Sequence, residues 1–99
     1  MTSEEFIGHV KRLVAEHTNA HPELVDEECG DAMKRMTVQP ENVCIVWSCK
    51  TLQNWKAIAS TPRLDGLFYE ITYNGDRNEI YLDTYKKIEN RKVPFYTAQ

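Results

Sequence analysis

The sequence predicts an α+β domain in which two N-terminal helices pack on a four-stranded antiparallel sheet made of two hairpins. Apolar residues recur at helical spacing in the first third of the chain, and the spacing changes to two from Val43 onward. No strand–helix–strand unit follows, which excludes a parallel sheet. We expect a single domain of 99 residues, with a helical part at 1–38, a sheet part at 43–90 and a tail at 91–99.

The first helix is predicted over residues 3–19. Thr2 and Glu5 have the spacing of a capping box, in which each side chain binds the backbone N–H of the other residue. Apolar residues then follow at steps of three and four and form one stripe: Phe6, Ile7, Val10, Leu13 and Val14. This stripe is expected to pack on the sheet.

A second helix is predicted to begin at Pro22, because proline suits the first turn of a helix. Acidic residues occupy its first turns, where they interact favourably with the helix dipole. The same helix supplies an alternative surface for binding a protein, formed by Glu23, Asp26, Glu27 and Asp31.

The first predicted hairpin begins at Val43 and returns over residues 55–60. Its first four residues are apolar on both faces, which favours an interior strand, and strict alternation places Ile45 and Trp47 on one face. The second hairpin pairs residues 67–73 with residues 79–88. Between these two strands stands Asn-Gly, the strongest short signal for a hairpin turn. The sheet face away from the helices is expected to be partly exposed.

Composition and charge exclude several classes of protein. The chain is 41% hydrophobic and 27% charged, which is typical of a globular domain. The longest uncharged apolar run, residues 43–47, is too short to cross a membrane, and the acidic N-terminus does not have the pattern of a signal peptide. Three cysteines without a Cys-x-x-Cys motif indicate reduced thiols, and we expect neither a metal nor a cofactor.

The net charge of −3 is divided unevenly along the chain. Residues 1–42 hold nine acids and four bases, a charge of −5, whereas residues 43–99 hold six acids and eight bases, a charge of +2. An acidic protein is a poor partner for duplex nucleic acid, because phosphate neutralisation supplies most of that affinity. The basic half could still bind a small anion, and the acidic half could bind a basic protein surface.

Polar and aromatic residues around the first predicted turn form a candidate ligand site. Bases can hold a phosphate, aromatic rings can stack on a nucleobase, and amides can bind its edges. The predicted site for a small anionic, nucleotide-like ligand comprises Trp47, Lys50, Gln53, Asn54, Trp55, Lys56, Arg63, Tyr69 and Arg77. The alternative is that the two amides only build the turn and that both tryptophans belong to the core.

No catalytic residue is predicted. Cys49 stands next to Lys50, and a neighbouring ammonium favours the reactive thiolate. Catalysis would also need a positioned base and an oxyanion site, and nothing in the sequence brings His9, His17 or His21 to this thiol. The four-residue spacing of His17 and His21 would suit a metal on one helix face, but no further ligand motif accompanies it.

Three strings of the second half resemble a family of small phage and prophage proteins, mostly of Gram-positive bacteria, that are known as a domain of unknown function. They are VWSCKTLQN-x-KA at residues 46–57, YEITYNGD at residues 69–76 and YKK-x-EN at residues 85–90. The resemblance implies a phage or prophage accessory gene whose product acts in a bacterial cytoplasm. It implies no catalytic residues.

Together these observations predict a non-enzymatic accessory protein that counteracts a host immune system. It would sequester a small nucleotide-like ligand or occlude a host protein. The alternatives are an enzyme that depends on Cys49 and a scaffold or accessory protein of phage replication or assembly. Self-association of the chain is left open.

Overall fold

A computed structural model of the chain describes residues 1–24, 37–62 and 67–95. These residues form one α-helix, α1 (Ser3–Ala20), and two short 3-10 helices, Pro22–Leu24 and Pro40–Asn42. The four strands are β1 (Cys44–Thr51), β2 (Asn54–Ser60), β3 (Leu67–Asn74) and β4 (Glu79–Lys86). They form one antiparallel sheet in the order β1-β2-β3-β4, so each strand pairs with its neighbours along the chain. The predicted α+β class and antiparallel hairpins are confirmed.

The prediction of two N-terminal helices is confirmed only for the first. A 3-10 turn, Pro22–Leu24, stands where the second helix was expected to begin. Residues 25–36, which would hold most of that helix, lie outside the described residues. The candidate contacts Asp26, Glu27 and Asp31 lie outside them as well.

The helix α1 begins with the predicted capping box. The Thr2 hydroxyl accepts a hydrogen bond from the Glu5 N–H at 3.1 Å, and the Glu5 carboxylate accepts one from the Thr2 N–H at 3.3 Å. The predicted stripe is confirmed, since Phe6, Val10 and Val14 are fully buried. Within the described part of the chain, no helix combines the length and apolar character that a membrane crossing requires.

Among the four strands, β2 is the one on which the helix packs most closely. The side chains of β2 that face it are Trp55, Ala57 and Ala59, and all three are buried. Because the two alanines are small, the helix can approach the strand closely. Phe6 stacks on Trp55 with 5.2 Å between the ring centroids, an aromatic contact that adds about 0.5–1.5 kcal/mol to the burial itself.

Two polar contacts hold the C-terminal half of α1 in place. The Thr18 hydroxyl donates to the Tyr69 hydroxyl at 3.3 Å, and both side chains are buried. The Asn19 amide donates to the Val38 carbonyl and accepts from the Val38 N–H, both at 2.8 Å. These bonds satisfy the backbone of the buried Val38, so the segment before β1 is anchored to the helix.

β1 is an edge strand, and the prediction of an interior strand is wrong. Apart from the half-buried Ile45, every residue of β1 is exposed. The pairing register with β2 shifts between Ile45 and Trp47 and leaves Val46 as a bulge. A one-residue bulge moves the following side chains to the other face, so Ile45 faces the helix whereas Trp47 faces away from it.

The two hairpin turns lie side by side and bind each other. The side-chain oxygen of Asn54 accepts a hydrogen bond from the Gly75 N–H at 3.0 Å, and the side-chain amide of Gln53 donates to the Asp76 carboxylate. These contacts join the β1–β2 turn to the β3–β4 turn although more than twenty residues separate them. The end of the sheet is therefore held by bonds between turns as well as within them.

Gly75 is required for space and not for a left-handed backbone. The second turn places its positive φ, 52°, at Asn78. A Cβ on Gly75 would lie 2.2 Å from the Gln53 carbonyl oxygen, far inside van der Waals contact. In the first turn Leu52 has a φ of 56°, a conformation that glycine usually supplies in two-residue hairpin loops.

Two histidines lie at the C-terminal end of α1, His17 in its last turn and His21 at its C-cap. The rings of His17 and His21 are 4.4 Å apart, and His17 also lies edge-on against Tyr69. His21 donates to the Glu23 carboxylate at 2.6 Å. Burial, and then the neighbouring His21, lower the pKa of His17, and the Glu23 charge opposes this shift. Among the described residues, no group of His, Cys, Asp or Glu side chains could hold a metal ion.

Alanine at two glycine positions is expected to change the stability in opposite directions. Gly8 is exposed within α1, and a Cβ there would meet no atom within 4 Å, so Gly8→Ala should raise the free energy of unfolding by about 0.5–1 kcal/mol. Gly75→Ala forces the two turns apart and should lower it by about 1–3 kcal/mol. Urea unfolding followed by circular dichroism measures both. A Gly75→Ala chain as stable as the unaltered one would contradict the contact between the turns.

The stability should also decrease in weak acid through His17. Its pKa is lower in the folded chain than the value of about 6.5 expected in the unfolded chain, so between these two values the unfolded chain binds more protons. The free energy of unfolding should therefore fall as the pH drops through about 6.5. Glu23, whose pKa is lowered mainly by the hydrogen bond from His21, contributes only at more acidic pH.

The measurement is urea unfolding at a series of pH values from about 8 to 5 for the unaltered chain and for His17→Gln. The variant keeps a polar side chain but does not titrate in this range, so its stability should change less with pH. An equal pH dependence in both chains would contradict the role of His17.

Candidate functional site

The residues predicted to bind a nucleotide-like ligand are divided between two sides of the sheet. Trp47 and Lys56 lie on the side away from α1, whereas Lys50 and Trp55 lie on the helix side. Tyr69 is buried between the sheet and the helix, 1% exposed, and is not accessible to a ligand. Arg63 lies outside the described residues.

The remaining predicted residues belong to the turns. The side chains of Gln53 and Asn54 bind the neighbouring turn, as described above. Arg77 donates its backbone N–H to the Asn74 side-chain oxygen at 3.3 Å, within a turn closed by that amide. These amides therefore have the turn-building role that the sequence left open as an alternative.

A cleft at the turn end keeps three of the predicted residues together. Its volume is about 240 Å³, and it is lined by Met1, Lys50, Gln53, Trp55, Tyr73 and Gly75. The Lys50 ammonium lies 5.3 Å from the Trp55 ring centroid, within cation–π distance. The Trp55 ring is buried against Phe6 and leaves little surface for a nucleobase. The cleft is also smaller than the roughly 300 Å³ at which small-molecule sites usually begin.

The side of the sheet away from α1, which we call the open face, offers a larger surface. The strand register places alternate residues of all four strands on it. The open face comprises Trp47, Cys49, Thr51, Lys56, Ile58, Phe68, Glu70, Thr72, Glu79, Tyr81, Asp83 and Tyr85. No helix or strand among the described residues packs on this side.

Four aromatic side chains are exposed on the open face. Trp47 is 46% exposed, Phe68 38%, Tyr81 50% and Tyr85 52%. Phe68 and Tyr85 are direct partners across β3 and β4, and Trp47 lies on the opposite edge strand. Exposed apolar surface of this kind marks interaction sites, and aromatic residues are enriched where proteins bind each other.

The charges of the open face are mainly acidic. Its single base among the described residues is Lys56, whose ammonium lies 2.8 Å from the Glu70 carboxylate. Glu79 and Asp83 add two more acids, so one base and three acids give a net charge of −2. The hydrogen bond to Glu70 and the charge of that carboxylate raise the pKa of Lys56. Tyr81 donates to Glu79, and this hydrogen bond raises the pKa of Tyr81.

The thiol considered for catalysis lies on the open face, far from any histidine. Cys49 borders a hollow of about 230 Å³ that Lys56 also lines. The three histidines are on α1 or at its C-cap, on the other side of the sheet. Cys44 is likewise exposed and not in a disulfide, and Cys29 lies outside the described residues.

The sequence predicts that the open face is partly exposed, but apart from Trp47 and Lys56 its side chains are not among the predicted binding residues, although a signal for its aromatic and acidic side chains exists. Period-two alternation groups Phe68 with Glu70 on β3, and Tyr81 with Asp83 and Tyr85 on β4. The pairing register then brings the two groups together. The same alternation that predicts the buried face also places these aromatic and acidic side chains together on the opposite face.

Comparison with known proteins gives one match. Neither the curated proteins nor the solved structures include a match to this chain. A family model described as a family of unknown function, DUF6275, matches residues 8–95. The matched region includes most of α1 and the whole sheet. The chain therefore belongs to DUF6275, a family of unknown function.

Proposed function

We propose that this protein is a non-enzymatic binding protein that covers a surface of another protein with its open face. The observation that carries this proposal is the exposure of four aromatic side chains on a sheet face without a covering layer in the described residues. A sheet normally buries its apolar faces against another layer. A partner protein would supply that layer here.

The charge of the open face favours a basic partner. Among the described residues of this face, no base lies beside the carboxylates of Glu79 and Asp83, while Lys56 is already paired with Glu70. A partner with lysines or arginines around an apolar centre would match this surface, because complementary charges speed association and select the partner. A ligand with phosphate groups would instead be repelled.

We further propose that the protein is a phage or prophage accessory protein that acts in the cytoplasm of its bacterial host, mostly in Gram-positive hosts. There it counteracts an immune system by occluding a host protein. This part of the proposal is supported by the resemblance carried by the strings at residues 46–57 and 69–76. In a second version of this proposal, the protein counteracts the immune system by sequestering a nucleotide-like ligand in the cleft beside Lys50 and Gln53, which we call the turn-end cleft.

Two other functions compete with binding. An enzyme that depends on Cys49 would need a base near this thiol, and the position of the histidines on the other side of the sheet does not favour it. A scaffold of phage replication or assembly would also bind through the open face, but to phage proteins. The alternative acidic surface retains Glu23, which is bound to His21, together with residues outside the described part.

Loss of the Trp47 ring is expected to weaken partner binding. Trp47→Ala removes the largest side chain of the open face, and a tryptophan that acts as an interface hot spot commonly contributes about 2 kcal/mol, or roughly thirtyfold in affinity. The measurement is quantitative co-purification of tagged protein from phage-infected cells, followed by titration with the identified partner. Thermal unfolding verifies that the variant is folded.

Leu52→Ser is the matched control, because Leu52 is also a large exposed apolar residue but lies in the first turn. It should retain the partner. Equal binding by the Trp47→Ala variant would exclude the open face as the docking surface. Loss of the partner on charge reversal at Glu23, Glu27 and Asp31 would transfer the function to the acidic surface.

Nucleotide binding is tested separately by calorimetric titration with a panel of cyclic and linear nucleotides. We expect no heat of binding, because the open face repels phosphate and the turn-end cleft is small. Binding that is lost in Lys50→Ala and kept in Trp47→Ala would instead establish the cleft as a ligand site. In that case sequestration would replace occlusion as the function.

A further inference from the structure

We propose that residues 87–95 of a second copy of this chain cover the open face, so that two copies exchange these segments in a dimer. Residues 87–95 are called the C-terminal segment here. The inference rests on the proposed function in that both use the open face as a docking surface for protein. It goes further by naming an occupant.

The C-terminal segment is apolar at several positions and yet exposed. It follows β4 without forming a helix or strand, and Ile88, Val93 and Phe95 are 97%, 69% and 90% exposed. A purely solvated segment does not require such side chains. Their burial against another apolar surface would be favourable.

The charges of the C-terminal segment and the open face are opposite. The segment contains Lys87, Arg91 and Lys92 with one acid, Glu89, which gives a net charge of +2. The open face has a net charge of −2. A basic segment that carries apolar side chains therefore matches an acidic face that carries aromatic side chains.

The C-terminal segment is also long enough to cross the face. Nine residues in extended conformation span about 30 Å. Four strands placed about 4.8 Å apart give roughly 15 Å between the axes of β1 and β4. One segment can thus pass from β4 to Trp47 on the far edge and still leave several residues to connect it to its own sheet.

A second copy is the occupant because the described residues of the chain do not cover their own open face. In the single chain both the segment and the four aromatic side chains remain exposed. In a dimer with two-fold symmetry, each copy places its segment on the open face of the other, so both segments and both faces are buried. Two-fold dimers are the most common soluble oligomers. Exchange of identical elements also requires no new surface on either copy.

The test is size-exclusion chromatography with light scattering at about 10–300 μM, using the full chain. We expect the mass to rise from 11.5 kDa to twice that value with concentration, and the dimer to weaken at high salt. The double variant Val93→Ser/Phe95→Ser and the variant Trp47→Ala should each raise the dimer dissociation constant at least tenfold. Leu52→Ser, the control outside both surfaces, should dimerise normally.

Mixing the two disabled variants distinguishes exchange from other kinds of contact. The segment variant keeps an intact open face, and Trp47→Ala keeps an intact segment, so their mixture should form a heterodimer that neither forms alone. Both variants alter exposed side chains, and their thermal unfolding should match that of the unaltered chain at the lowest concentration, where the unaltered chain is monomeric. A monomer at every concentration, including one whose segment folds back on its own face, would overturn the proposal. A dimer that persists in the segment variant would also overturn it.

The two proposals can fail independently. If the chain stays monomeric but Trp47→Ala still loses its partner protein, the exchange is wrong and the binding function stands. If the chain forms the exchanged dimer but Trp47→Ala keeps its partner protein, the binding function is wrong and the exchange stands.

Discussion

The contact between α1 and β2 is the interaction on which the rest of the structure depends. Ala57 and Ala59 leave room for the helix over this strand, and the Phe6–Trp55 stack fixes its N-terminal half. The helix buries its apolar stripe there, with Val10 and Val14 fully enclosed. Because one helix has only one such stripe, the domain has a packed side and an unpacked side. Within the described residues, this asymmetry creates the open face.

The open face shows how aromatic content can serve binding rather than stability. Trp55 and Tyr69 are core residues that α1 covers, whereas Trp47 and Tyr85 are exposed on the other side of the same sheet. A salt bridge between Lys56 and Glu70 crosses the middle of this surface, and it pairs the one base that the described residues place there. What remains is an acidic, aromatic surface that suits a basic protein segment better than a phosphate.

The contacts between the two adjoining turns explain the polar residues that the sequence concentrates there. Asn54 and Gln53 in one turn bind Gly75 and Asp76 in the other, and the lack of a side chain on Gly75 allows their close approach. Two residues that looked suited to a nucleotide from their chemical types, Gln53 and Asn54, are thus engaged in contacts between the turns. Which polar groups are free is a property of the folded chain, because it depends on contacts between residues far apart in sequence.

Local patterns in the sequence determined the capping box at Thr2, the buried stripe of α1, the hairpin around Gly75 and the alternation of β3. Each of these depends on residues within a few positions of one another, where propensity and periodicity act directly. Tertiary structure alone decided that β1 lies at the edge and that Trp47 points away from the helix. The edge position follows from the strand order, which depends on pairing between segments far apart in sequence. The direction of Trp47 follows from the bulge at Val46, which shifts the pairing with β2 by one residue.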